Sequence, residues 1–459
     1  MPVTASRTVA VIGAGAAGLA AARELVLQGH SVVVYERETQ LGGTWAYTPE
    51  RESDPMGLDP MRQIVHSSLY ASLRTNLPRE VMSFRAFPFS ASRKPGRDAR
   101  RFPGHAEVLE YLKDFADEFR LRDLVRFGSE VSHVRMMEDH KWIVRSRKNE
   151  SGDVYDAVVV CNGHHTEPRI AEIPAWNFDC RSHLKHSGID EWPGKQIHSH
   201  NYRVPEPYRD QIVVLIGSAA SASDISRDIA EVAKEVHIAS RSVQIQELGN
   251  ISGHENIWLH SMISYVRKDG TVAFKDGNEV CANVILHCTG YKYHFPFLET
   301  NGIVTVDDNR VGPLYKHVFP PALAPWLSFV GLPWKVVPFP MFEYQCKWIA
   351  GVLSGQISLP TINEMMADVE GYYSLMEASG IAKRYTHRVG DHQFEYNDWL
   401  AGQTGSPPTE EWREPMYLVA SRKKRSAPET YRDEWEDEDL IALAHRDFEK
   451  FVSNVEIML

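Results

Sequence analysis

The chain has 459 residues, 43% apolar and 24% charged, which suits a folded protein of about two or three domains rather than a disordered or fibrous one. A formal net charge of −11 provides no positive field for a phosphate backbone, so no nucleic acid partner is expected. The five cysteines (Cys161, Cys180, Cys281, Cys288, Cys346) contain no CxxC pair, and no apolar run reaches the roughly 18 residues of a membrane span; reduced thiols, a cytoplasmic location, no redox dithiol and no membrane association are expected.

In chain order, "TVAVIG" reads as a strand, "AAGLAAARELVLQG" as a helix ending at Gly29, and "SVVVYE" as a second strand, together a βαβ unit. The turn "GAGAAG" between them has glycine where a dinucleotide fold needs it. Gly13 permits the tight turn, Gly15 lets the backbone approach a pyrophosphate, and Gly18 lets helix and sheet pack closely. Glu36 ends the second strand 23 residues after Gly13, placed to accept from a ribose hydroxyl and to repel a 2'-phosphate. In "QLGGTWAY", Gly42 and Gly43 leave room for a long cofactor along the backbone, and Trp45 is a candidate wall for its ring. These residues mark an FAD site.

A similar order returns at "QIVVLIG", "SASDISRDIAEVAK" and "EVHIASR". In register on the first glycine, Gly217 matches Gly13, but Ala219 stands for Gly15 and Ala222 for Gly18. Alanine at the second place crowds a pyrophosphate, with Ser218, Ser221 and Ser223 as compensating hydroxyl donors near the helix start. Where the first unit has Glu36, this one has Ser240 and then Arg241, the chemistry that holds a 2'-phosphate; the second site is therefore read as NADPH-binding.

The short apolar strands "DAVVVCNGHH" (156–165) and "NVILHCTGY" (283–291) suit the buried sheets of doubly wound domains. The expected fold class is α/β with two dinucleotide-binding, Rossmann-like domains, the smaller NADPH domain inserted into the FAD domain. The expected boundaries are 1–165 and 290–459 for the FAD domain, whose C-terminal region is helical, and 166–289 for the NADPH domain. The basic run "SRKKR" and the acidic "RDEWEDEDL" read as solvated surface. His183, His186, His198 and His200 have no regular ligand spacing, and no metal is expected.

Between the two units stands "WPGKQIHSHNY", with Trp192, Gly194, His198 and Tyr202 at the spacing FxGxxxHxxxY. This resembles the identifying motif of the flavin-containing monooxygenases, with Trp192 in place of Phe. "HSSLYASLRTNLPREVMSF", "FPGHAEVLEYLKDFA", "CTGYKYHFPFL" and "FVGLPWKVVPFPMFEYQCKWIAGVLSG" are similar to the same family, and "KRYTHRVGDHQFEYNDWLAGQTGSP" to its plant S-oxygenating branch. The resemblance implies that FAD reduced by NADPH takes up O2 at C4a, and that a thioether sulfur attacks the distal oxygen to give a sulfoxide. It also implies that Asn76 hydrogen-bonds the oxygen adduct, that His66 and Gln345 contact FAD, and that His198 lies where the two domains meet. The substrates it implies are small thioethers of the S-alkyl- or S-allyl-cysteine type, then methylthioalkyl glucosinolates, then amines.

Overall fold

Thr8–Ile12 and Ser31–Tyr35 pair in parallel on either side of the helix Ala16–Leu27, in a computed structural model that describes residues 5–90, 94–173, 189 and 192–458. Cys180, His183 and His186 lie outside the described residues. The chain divides into two compact units, 1–46 with 74–164 and 293–459, and 47–73 with 165–292.

The first unit carries a parallel sheet of five strands in the order Leu327–Phe329, Ala157–Val160, Thr8–Ile12, Ser31–Tyr35, Val125–Arg126. Continuous apolar strands are needed because both faces are covered. Val9, Val11, Val34 and Val159 enter one buried cluster, while Ala10, Ile12, Val158 and Val160 enter another on the opposite face. Each fully buried valine or leucine contributes about 1.5–3 kcal/mol. The helices Pro338–Leu353, Ile362–Ala378, Gln393–Thr404, Arg413–Ser426 and Glu438–Met458 belong to this unit.

The second unit repeats the scheme with six strands, in the order Gly249–Asn250, Ile257–Ser261, Glu235–Ser240, Ile212–Ile216, Val284–His287, Lys195–His198. All pairings are parallel except at the Gly249–Asn250 edge. Val213 and Leu215 pack to one side, Val214 and Ile216 to the other.

This division departs from the expected boundaries by one residue at 165, by three at 290–292, and chiefly at 47–73. Residues 47–73, assigned above to the FAD domain, belong to the second unit, and His66 goes with them. The physical cause is polar. Arg203, 1% exposed, donates to the carbonyls of Thr48, Glu50 and Ser67, and Arg62 bridges Glu52 and Glu167 at 2.8 Å each. A strap held by buried guanidinium groups on distant carbonyls leaves no hydrophobic period to read.

Candidate active site

In the first unit the tight turn is enforced by contact. Gly13 has φ +106°, and a Cβ there would lie 2.6 Å from the Cys161 carbonyl oxygen. A Cβ on Gly18 would lie 1.8 Å from the Gly13 oxygen, so only glycine lets the helix start this close to the turn. Gly15 is different: its Cβ would meet only the Gly43 backbone, at 3.5 Å, so no protein contact demands glycine. What its missing methyl leaves is an open approach to the first-turn amides. The helix Ala16–Leu27 has no side-chain cap on those amides, which leaves donors and a positive dipole end for an anion.

Glu36 closes the same turn. Its carboxylate accepts from the Ala14 and Glu38 amides at 2.8 Å each, and burial pushes its pKa above the usual carboxylate value in spite of them. Gly43 begins a short helical turn to Trp45, and the half-buried Trp45 ring meets Phe339 edge-on, centroids 6.5 Å apart. Gln345 is fully buried. Its Oε1 accepts from the Gly331 amide at 3.0 Å and its Nε2 donates to the Tyr396 hydroxyl at 2.9 Å, so the side chain holds the Gly331 turn.

Asn76 stands on a turn pinned on both sides. The Thr75 amide donates to Pro103 O and the Thr75 hydroxyl to Leu77 O, each at 2.8 Å, while Arg79 N donates to Arg101 O at 2.9 Å. The Asn76 amide group itself is exposed and forms no hydrogen bond with any described residue. A free donor on a fixed turn is what a ligand-directed asparagine requires.

The second unit solves its turn in the same way. Gly217 has φ +112°, and its Cβ would lie 2.6 Å from the Cys288 oxygen. Ala219 has φ −81° and ψ −173°, against −78° and −173° at Gly15, so alanine is accommodated without strain. Ala222 is fully buried in the core, and the helix Ala220–Ala230 again has no side-chain cap.

Ser240 is 4% exposed and shares a hydrogen bond with the Ser218 hydroxyl at 2.8 Å, while accepting from the Ser242 amide at 3.3 Å. Ser221 is exposed, whereas the Ser223 hydroxyl accepts from Arg227 at 2.8 Å. Arg241 is exposed and makes no ion pair with any described residue.

The motif at 192–202 proves to be a structural clamp within the second unit. The buried Trp192 indole donates to Gly270 O at 3.0 Å, and a Cβ on Gly194 would lie 2.1 Å from the Trp192 ring. His198 is fully buried, with Nδ1 accepting from His200 N at 3.1 Å and Nε2 3.0 Å from Gly290 O. Burial, with the nearby His200 and His287, lowers its pKa to about 3, so it stays neutral. Its amide donates to Pro55 O at 3.0 Å, tying down the strap. Tyr202 donates to Asp228, and the His66 Nδ1 lies 3.2 Å from the Thr166 hydroxyl. Gly194→Ala is expected to destabilise the protein by about 2 kcal/mol through overpacking on Trp192, read as a fall in Tm by calorimetry. An unchanged Tm would mean that the indole relocates freely.

Among the described residues no three His, Cys, Asp or Glu side chains group to hold a metal, and no helix is long and apolar enough to cross a membrane. Among the described residues Cys161, Cys281, Cys288 and Cys346 form no disulfide.

The family described as FMO-like, flavin-binding monooxygenase-like, matches residues 6–254 and 246–409. The chain is similar to flavin-containing monooxygenase FMO GS-OX-like 4 of Arabidopsis thaliana, 59% identical over 452 residues, covering 96% of this chain and 97% of the relative. Among solved structures it is similar to S-allyl-L-cysteine S-oxygenase from Allium sativum, with a TM-score of 0.93, 58% identity, and coverage of 98% of this chain and 100% of that one. Tmm from Pelagibacter sp. matches with a TM-score of 0.75 and 25% identity over 93% of each chain.

Proposed function

The chain belongs to the flavin-containing monooxygenase family, and from that premise we propose that it S-oxygenates a small thioether of the S-alkyl- or S-allyl-cysteine type to its sulfoxide, with NADPH as reductant. The carrying observation is the likeness, over nearly the whole chain, to garlic S-allyl-L-cysteine S-oxygenase. The family's cofactors are FAD and NADP, and the residues fit both: two uncapped helix starts follow two enforced glycine turns, one paired with an acid and the other with a free guanidinium. Bound there, the two cofactors would supply hydride transfer and the activation of O2 toward an electron-rich sulfur, the second oxygen atom leaving as water.

The chain's own groups bind, orient and exclude water. Gly13, Gly15 and Gly18 would hold the FAD pyrophosphate at the helix start, and Glu36 would hold its ribose. Gly43 and Trp45 extend the cradle, and Gln345 acts through the Gly331 turn it fixes. Asn76 presents its amide where oxygen chemistry needs a donor that does not have to reorganise. In the second unit, Ser218 and Ser221 serve the pyrophosphate, while Ser240 sets the Ser218 hydroxyl and the start of the Arg241 turn.

The test is a substrate panel of cysteine thioethers, methylthioalkyl glucosinolates and amines in which NADPH loss and oxygenated product are followed together. Equal amounts of sulfoxide and oxidised NADPH with the cysteine thioethers support the reading; coupled turnover with amines alone overturns it. Arg241→Ala is expected to raise the KM for NADPH about 10- to 100-fold while leaving that for NADH within about twofold, since only the former carries the 2'-phosphate. Equal effects on both coenzymes would remove Arg241 from that role.

A further inference from the structure

Lys335 is a non-glycine residue held in the left-handed backbone region, with φ +55°. Such a conformation persists only where neighbouring contacts fix it, and it is most informative at ligand sites. Here the contacts are plain. On one side Trp334 N donates to His387 O at 2.9 Å and Trp334 O accepts from Val389 N at 3.3 Å; on the other, Val337 N donates to the Gln393 side chain at 2.6 Å. Between these anchors the Lys335 side chain is exposed, and its ammonium has no partner among the described residues. Lys335 is thus a cation available to an anion and carried on a turn whose backbone is fixed on both sides.

The position is as informative as the charge. Two residues on, Val337 leads into the helix Pro338–Leu353, whose positive end adds to the local field. Val337 and Val81 share one buried cluster, against which Leu77 packs, and Leu77 directly follows Asn76. One residue into that helix, Phe339 meets the Trp45 ring of the flavin cradle. The start of this helix thus links the three: Phe339 meets Trp45, Val337 shares the cluster against which Leu77 packs, and Val337 lies two residues from Lys335. All three belong to the first unit.

We propose that Lys335 is a specificity-determining residue that binds the anionic end of the thioether substrate at the rim of the oxygenation site, so that the chain favours carboxylate-bearing thioethers over neutral ones. The inference rests on the S-oxygenation reading and names its substrate class. The amphiphilic substrate leaves its carboxylate in water beside the ammonium, while its sulfur enters past Asn76. A sulfate ester would meet the same cation, so the two anions are separated by experiment.

The experiment measures kcat/KM for S-allyl-L-cysteine, for the neutral allyl methyl sulfide and for a methylthioalkyl glucosinolate, in the unsubstituted enzyme and in Lys335→Gln, Lys335→Gly and Lys335→Arg. The glycine variant removes the charge where glycine is conformationally at ease, so a loss of folding does not confuse the result. The ratio of S-allyl-L-cysteine to allyl methyl sulfide is expected to fall about tenfold in the Gln and Gly variants, about 1.4 kcal/mol, and to return in the Arg variant. The KM for the carboxylate is also expected to rise with ionic strength in the unsubstituted enzyme more than in Lys335→Gln. A fall in the glucosinolate ratio alone would overturn the carboxylate assignment. If both S-allyl-L-cysteine and allyl methyl sulfide are oxidised but their ratio is unmoved by substitution, the Lys335 assignment falls while S-oxygenation stands. If the unsubstituted enzyme oxidises no thioether, both fall.

Discussion

Replacing Asn76 with alanine is expected to leave NADPH oxidation running while sulfoxide formation falls about 100-fold, the lost turnover appearing as hydrogen peroxide. The expectation follows from the arrangement of the turn. Thr75, Leu77 and Arg79 are tied to their surroundings, and Asn76 alone presents an amide to open space. Removing the side chain therefore breaks no hydrogen bond to a described residue, so stability and FAD content should hold within experimental error. That separates a chemical role from a structural one. Simultaneous assay of NADPH, peroxide and sulfoxide checks it, and a variant that still couples each NADPH to one sulfoxide would exclude Asn76 from the oxygen transfer.

Gly18→Ala is expected to yield colourless protein with a Tm well below that of the parent. Its new methyl would lie 1.8 Å from the Gly13 carbonyl oxygen, a backbone atom that can retreat only by moving the Gly13 turn. The cost is put at about 3 kcal/mol or more, together with loss of the phosphate geometry. The natural contrast is Ala222 in the second unit, where the helix already carries a methyl at the matching place. Ala222→Gly should cost only about 1 kcal/mol, with the KM for NADPH changed by less than about threefold. Flavin-to-protein absorbance ratios and thermal melts decide the matter; a yellow, stable Gly18→Ala protein would contradict it.

The sequence shows best what rests on backbone sterics and continuous burial. Gly13 and Gly217 occupy equivalent turns with φ +106° and +112°, where an added Cβ would lie 2.6 Å from a cysteine carbonyl oxygen, and apolar runs such as "TVAVI" and "IVVLI" form the buried strands flanking them. The sequence places Glu36 and Arg241 at matching strand ends; the Glu36 carboxylate accepts from the Ala14 and Glu38 amides, whereas Arg241 is exposed and makes no ion pair with any described residue. What stayed hidden depends on where side chains turn. Gln345 spends both ends of its amide on protein groups, and Ser240 faces inward to position Ser218. The motif around His198 marks the family, yet its side chains clamp the second unit and its His198 imidazole is fully buried. The placement of 47–73 was invisible because it is fixed by Arg203 on carbonyls more than a hundred positions away.

That strap changes what can be exchanged between relatives. Because residues 47–73 fold with 165–292, the second unit is encoded in two separated stretches of the gene. A chimera that swaps only the later stretch would set a foreign Arg203 environment against native Thr48, Glu50 and Ser67 carbonyls. Recombination breakpoints after 46, 73, 164 and 292 keep each set of contacts with a single parent, and libraries cut there should retain a far larger folded fraction.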